Sequence, residues 1–245
     1  MAEVVRGGGA EGAAAEPYPF RAVIFDMDGV IVDTEWFYWH QLIEYAEYLG
    51  IDAPYEDLSG QVGQTYEHTC RLLERWQVRA GRDPGSPQAA FDRYLEWAID
   101  HPCLYGELLN PGVAETLGEL SQRGVKCALA SSSSMVEIEA MLCDCELRDA
   151  FEVIVSGEQF RESKPNPEIY LHTLERLGLP AGECCCVEDS LPGIAAGKAA
   201  GLFVVAKREE RFGFEQRGYD LIIDQIPELL ELDGAAVRAA GVHEE

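Results

Sequence analysis

Ala22-Val23-Ile24-Phe25-Asp26-Met27-Asp28-Gly29-Val30 is a short apolar run that ends in two acids and a glycine. Residues apolar at every position describe a strand buried on both faces, as in a parallel sheet covered by helices. In open α/β sheets ligands bind beyond the carboxyl ends of the strands, so Asp26 and Asp28 are expected at a binding rim. Extended chain alternates its side chains, which puts both carboxylates on one side if that geometry persists through Met27. Two carboxylates so placed raise each other's pKa unless a cation lies between them. Mg²⁺, which prefers oxygen ligands, meets that need. Gly29 is expected to let the backbone turn tightly and present N–H groups to an anion.

Downstream, strand-like and helix-like stretches alternate. Lys126–Ala130, Glu152–Val155, Cys184–Val187, Leu202–Ala206 and Leu221–Ile223 read as further strands. Val113, Leu117 and Leu120 recur at helical spacing before Gly124. Ser134 with Glu137 forms a capping box ahead of Ile138, Met141 and Leu142. Asn166-Pro167 opens a helix with Ile169, Tyr170, Leu174 and Leu177 on its apolar side and Gly178 as its stop. The pattern predicts an α/β fold, a Rossmann-like parallel sheet core with an inserted α-helical cap domain.

The insertion is where the alternation breaks, after Thr34. Trp36, Trp39, Ile43 and Ala46 trace one helical face, Leu72, Leu73 and Trp76 a second, and Phe91, Leu95, Ala98 and Ile99 a third. Arg82 to Pro87 is a turn between helices, and Asn110-Pro111-Gly112 reads as the return hinge. The expected organisation is a disordered tail at 1–17, a core at 18–33 and 108–234, a helical cap at 34–107, and a flexible tail at 235–245. A cap inserted after the first strand lies as a lid over that strand's end.

Three more strand ends carry chemistry. Ser131 to Ser134 follow the second strand, and hydroxyls and free N–H groups at a helix start suit phosphate oxygens. Ser163-Lys164-Pro165-Asn166-Pro167 follows the third, where prolines hold a lysine rigidly before a helix. Glu188-Asp189-Ser190 follows the fourth and adds two acids to a metal shell. An acidic turn, a serine cap or a lysine each has an ordinary structural explanation. Four such sets, each at the end of an apolar strand, do not.

These motifs, with Gly193-Ile194 and Ala200-Gly201, make the chain resemble the haloacid dehalogenase-like superfamily from about Phe20 to Asp233. Within it the chain is similar to the branch with a helical cap after the first strand, which includes β-phosphoglucomutase and many sugar-phosphate phosphatases. The resemblance implies that Asp26 attacks phosphorus to form an aspartyl-phosphate, and that Asp28 protonates the leaving oxygen and then activates water. It implies that Ser131 and Lys164 hold phosphate oxygens, with Gly29 and Ser132 beside them. It implies Mg²⁺ held by Asp26, the Asp28 carbonyl and Asp189, with Glu188 as a ligand directly or through water. Thr34, Glu35, Tyr38, His40 and Gln61 are the cap candidates for substrate selection.

Asp28 separates this chain from dehalogenases, because a departing halide needs no proton and an alkoxide does. The preferred reading is a Mg²⁺-dependent phosphatase of a small phosphorylated metabolite. The alternatives are a phosphosugar mutase and a non-catalytic phosphometabolite-binding regulator. β-Phosphoglucomutases carry His four residues after the Thr, where this chain has Tyr38. They also carry Arg three residues after a cap glycine, and three past Gly60 stands Gly63. A pure binder has no use for Asp28.

Composition sets outer bounds. The 245 residues carry a formal charge of −25, against the counterion release that binding nucleic acid requires. No apolar run spans a bilayer. Eight cysteines include three in a row, in a buried-strand context with no zinc spacing and no export signal. Reduced structural thiols, a cytoplasmic location and a monomer are expected.

Overall fold

The computed structural model describes residues 17–54, 57–58, 66–213 and 215–240. A six-stranded, all-parallel sheet forms its centre: β1 (Ala22–Phe25), β2 (Lys126–Ser131), β3 (Val153–Ser156), β4 (Cys184–Glu188), β5 (Phe203–Lys207) and β6 (Leu221–Ile223). Their order is β3-β2-β1-β4-β5-β6. The order reverses between β1 and β4, which is where such sheets open a crevice for ligands. Phe25 pairs with Leu129 on one side and Val187 on the other, so the residues that follow all three strands meet at one level.

Nine helices accompany the sheet: α1 (Thr34–Leu49), α2 (Tyr66–Arg79), α3 (Pro87–Ala98), α4 (Tyr105–Leu108), α5 (Val113–Gln122), α6 (Met135–Asp144), α7 (Glu168–Leu177), α8 (Leu191–Ala199) and α9 (Gly234–Ala240), counted among the described residues. Alternation along β1 sends Val23 and Phe25 into the cluster under α5 and α6. Ala22 and Ile24 enter the opposite cluster, under α7 and α8. The same alternation explains the cysteine run. Cys185 joins the first cluster, Cys184 and Cys186 the second, and all three are free and buried. Pointing to opposite faces of the sheet, the three thiols do not gather at one point.

The strands occur where the sequence puts them, with ends shifted by one residue at β2, β3, β4 and β5. The capping box at Ser134 is present, and Ser134 Oγ accepts from the Glu137 N–H at 3.3 Å. At α7 the Asn166 side chain accepts from the Glu168 N–H at 2.9 Å.

Helices α1 to α3 form the inserted cap around a third cluster. Leu72, Leu73 and Trp76 sit fully inside it, as expected. The buried faces of the other two helices are rotated from expectation. On α1 the core residues are Leu42, Tyr45, Ala46 and Leu49, while Trp36 is exposed. On α3 they are Ala90 and Tyr94, with Leu95 48% and Ile99 76% exposed. Tyrosines replace aliphatics inside because their hydroxyls find partners there. Tyr45 OH accepts from Gln77 Nε2 at 2.7 Å, and Tyr94 OH donates to Gln41.

Two linkers joining cap to core are zipped together. Asp33 N–H donates to Leu108 O at 2.8 Å and Asn110 N–H to Ile31 O at 2.9 Å. The Asn110 amide also donates to Val30 O at 2.9 Å. Among the described residues no helix is long and apolar enough to cross a membrane.

Candidate active site

Asp26 is the first residue past β1, still held in the sheet by its N–H to Val187 O at 3.1 Å. The chain then turns sharply. Met27 O accepts from the N–H groups of Val30, Ile31 and Val32, and Gly29 N–H donates to Val32 O at 2.8 Å. The Gly29 N–H is therefore spent inside the turn and does not face an anion, which corrects the sequence expectation. Gly29 serves differently. It holds φ at +76°, and a Cβ there would stand 1.9 Å from Asp189 Oδ2. Its missing side chain is the space that Asp189 occupies.

Lys164 reaches the same point from the loop after β3. Its Nζ donates to Asp26 Oδ1 at 2.8 Å, Glu188 Oε1 at 2.7 Å and Ala130 O at 3.1 Å. All three ammonium donors are thus engaged. Burial works against its charge, but the adjoining Asp26 and Glu188 carboxylates more than offset that and raise its pKa. Glu188 is fully buried, takes a further hydrogen bond from Tyr170 OH, and lies over Gly193, where a Cβ would fall 1.9 Å from its carboxylate. Burial pushes Glu188 up to about 6, aided by Asp26, despite the opposing pull of Lys164.

Asp189 differs from its neighbours. It is 5% exposed, yet its carboxylate receives no hydrogen bond from the described residues. Burial, then Asp26 and Glu188, raise its pKa well above the carboxylate range. Oxygens of Asp26, Glu188 and Asp189 lie within 4.8 Å of one another. Three buried acids against one lysine leave negative charge uncompensated, and a divalent cation with oxygen ligands fits that donor set.

Asp28 is held apart from this cluster. Thr34 Oγ1 donates to one of its oxygens at 2.5 Å and Ser133 Oγ to the other at 2.7 Å. Burial and the neighbouring Asp26 raise its pKa, against the pull of the two hydroxyls. A carboxyl fixed in place and inclined to hold a proton is suited to give one away.

The remaining candidates divide clearly. Thr34 is buried at the start of α1 and serves Asp28. Glu35 and Tyr38 line a cleft of about 870 Å³ between cap and core, together with Asp26, Asp28, Ser132, Lys164 and Asp189. Burial and the nearby Asp28 and Asp26 push Glu35 up to about 7. Ser132 faces the cleft, whereas Ser131 is buried below it and accepts from the Ser133 N–H at 3.0 Å. His40 does not reach the cleft. Its ring meets the Trp36 carbonyl at 2.9 Å, because two residues after Tyr38 the helix has turned to the opposite side. Gln61 lies outside the described residues.

Sequence reading missed Ser133, Tyr170 and Arg211. Ser133 was visible within the serine run, and Tyr170 as a tyrosine on a buried face whose hydroxyl needed a partner. Arg211 pairs with Asp33 at 2.7 and 2.8 Å across the sequence, and nothing local announces it.

With this geometry in hand, comparison with known proteins decides the family. The model of haloacid dehalogenase-like hydrolases matches residues 20–201. The chain belongs to that family. It is 32% identical over 187 residues to hexitol phosphatase B of Escherichia coli (strain K12), covering 75% of this chain and 82% of the relative. It is 35% identical over 187 residues to a phosphorylated carbohydrates phosphatase of Thermotoga maritima, covering 74% and 82%. The crystal structure of CbbY from Rhodobacter sphaeroides in complex with phosphate superposes with a TM-score of 0.65 at 25% identity, over 89% of this chain and 99% of that one. The expected family and core-plus-cap fold are both borne out.

Proposed function

We propose that this hydrolase is a Mg²⁺-dependent phosphatase that cleaves small phosphate monoesters through an aspartyl-phosphate on Asp26. The observation that carries the reading is the division of labour between two acids of one turn. Asp26 has Lys164 on Oδ1, while Asp28 is locked by Thr34 and Ser133. The names of relatives that act on phosphorylated carbohydrates and hexitols support the reaction class.

With Oδ1 bound to Lys164, Asp26 keeps Oδ2 for attack. The new bond joins that oxygen to phosphorus, and the bond from phosphorus to the alcohol oxygen breaks. Asp28 delivers its proton to the departing alkoxide, then takes a proton from the water that hydrolyses the acyl phosphate and frees Asp26. Lys164 fixes the nucleophile's rotamer and offsets part of the charge that gathers there. Asp26, Asp189, the Asp28 carbonyl and Glu188 would hold Mg²⁺, whose positive charge lets a carboxylate approach an anionic phosphoryl group. Ser132 would contact phosphate oxygens from the rim. Residues 34–107 would act as the cap that excludes water from the rest of the cleft. The reading places the enzyme in the cytoplasm, where its eight free cysteines stay reduced, and takes it as a monomer.

The test is phosphate release from a panel of phosphate monoesters with Mg²⁺. Turnover stops with chelator, and Asp26→Asn lowers it by more than about 10⁴-fold, beyond the range of an acid/base group alone. An Asp26→Asn enzyme with activity near wild type removes Asp26 from the reaction.

A further inference from the structure

The cleft has two walls of different chemistry. Its core wall carries the charged groups just described. Its cap wall carries Phe37, Tyr38, Trp39, Leu42, Phe91 and Leu95 among more polar residues such as Gln41 and Thr69. Phe91, Leu95 and Ala98 belong to the apolar stripe of α3 that sequence reading placed inside the cap. It points into the cleft, and Leu95 remains half-exposed there.

Most polar atoms on the described cap wall have partners, the buried Trp39 Nε1 donor excepted. Tyr94 OH donates to Gln41, Gln41 Nε2 donates to His101 O at 2.8 Å, and Tyr66 OH donates to Gln88 at 2.6 Å. Tyr38 is shared with Tyr105. Among the described residues, a leaving group rich in hydroxyls meets mainly Trp39 Nε1 and Thr69 as polar partners on this wall. Flat apolar surface, by contrast, finds aromatic rings to stack against.

Charge narrows the choice further. Lys164 is the one lysine or arginine among the described residues that line the cleft, and its donors are occupied. Two further acids, Glu35 of the cap and Glu137 of α6, also line the cleft. Apart from His101, no described residue of the cleft brings a second basic group for another phosphate or a carboxylate on the substrate.

We infer that the substrate's leaving half is an uncharged alcohol with a flat apolar face, so that the enzyme acts on phosphate monoesters of aromatic or heteroaromatic alcohols carrying no second anionic group. This inference rests on the phosphatase reading and sharpens it. Binding places the ring against Phe91, Leu95 and Tyr38 and leaves the phosphoryl group at Asp26. Water and the ester give the free alcohol and phosphate, with the proton passing through Asp28.

The experiment compares kcat/KM for benzyl phosphate, sorbitol 6-phosphate and fructose 1,6-bisphosphate with Mg²⁺. All three can lose a phosphoryl group from a primary alcohol, so recognition and not leaving-group chemistry sets the order. Benzyl phosphate is expected to exceed sorbitol 6-phosphate about tenfold or more, the value of a modest apolar contact in a pocket. It exceeds the bisphosphate by about 100-fold, since like charges in a closed site are costly. Leu95→Asn, at a half-exposed position where folding is not at stake, lowers the benzyl phosphate value about tenfold and narrows the ratio. Sorbitol 6-phosphate turned over as well as benzyl phosphate, or an unchanged ratio in Leu95→Asn, overturns the inference while leaving the phosphatase reading intact. No hydrolysis of any of the three takes down both.

Discussion

The core and cap walls of the cleft are built on opposite plans. On the core wall most polar atoms are pinned by named partners: Lys164 by three acceptors, Glu188 by Lys164 and Tyr170, Asp28 by two hydroxyls. On the cap wall apolar side chains face the cavity, and polar atoms such as those of Gln41 and Tyr94 turn to each other. Reaction geometry tolerates little displacement, so its groups sit at strand ends where a parallel sheet holds the backbone. Selection by apolar contact tolerates more, and it is carried by helices that can change without disturbing the chemistry. Substitutions on the two walls should therefore fail in different ways.

The sharpest break is Asp28→Asn. The amide retains the shape and can still accept from Thr34, but it has no proton to give. Turnover of esters with alkoxide leaving groups is expected to fall by about 10²–10⁴-fold, with inorganic phosphate binding nearly unchanged. Steady-state kinetics with phosphate as a product inhibitor reads both quantities. Equal losses in the two would make Asp28 a binding group and dissolve its distinction from Asp26.

Next in size is Gly29→Ala. The new Cβ would collide with the Asp189 carboxylate, and the left-handed backbone costs an L-residue about 1–2 kcal/mol. Displacing a ligand's support typically weakens metal binding about 10–100-fold. Titration of Mg²⁺ against activity should show that loss, recoverable at high Mg²⁺. Unaltered Mg²⁺ dependence would mean that Asp189 is not a ligand.

How much of this could be read from sequence follows the same divide. The strand ends were plain because β1, β2 and β4 are apolar on both faces, so the polar residues after them stand out. The helix faces were not. Phe91, Leu95 and Ala98 show the spacing of a core stripe, and periodicity cannot say whether a stripe faces protein or a cavity. Thr34 read as a cap residue because the cap begins there, yet the first turn of α1 points back at Asp28. His40 read as a site residue from its chemistry alone, and one helical rotation removes it. Arg211 needed the tertiary fold.

A third prediction concerns charge. Glu35 and Glu188 are raised to about 7 and about 6 from an ordinary value of 4.5, chiefly by burial, and Asp28 and Asp189 shift in the same direction. Between pH 4.5 and 7 the folded chain holds protons that the unfolded chain has released. Stability of the metal-free protein is therefore fullest at the acid end and falls as pH rises through that window. Mg²⁺ relieves the same repulsion. At a concentration 100 times its Kd at pH 8 it should raise Tm by about 5–10 °C there, and by less at that same concentration near pH 5.5 where protons compete. A Mg²⁺ shift equal at both pH values would contradict the charge cluster as the metal's site.

The smallest effect expected is at the joint between the walls. Arg211, in the loop after β5, pairs with both oxygens of Asp33, binds Glu209, and lies 5.3 Å over the Trp36 ring. One side chain thus ties the core to the first linker and to the first helix of the cap. Its partly exposed position limits the pair to about 1 kcal/mol, a fall in Tm of about 2–4 °C for Arg211→Ala. Closure should feel the change more than stability does. The unpaired Asp33 leaves the cap free to open, so KM for a monoester rises a few-fold while kcat holds, provided that chemistry and not closure limits turnover. A variant with kcat reduced and KM unchanged would place Arg211 with the core wall instead, acting through Asp33 on the turn that carries Asp28.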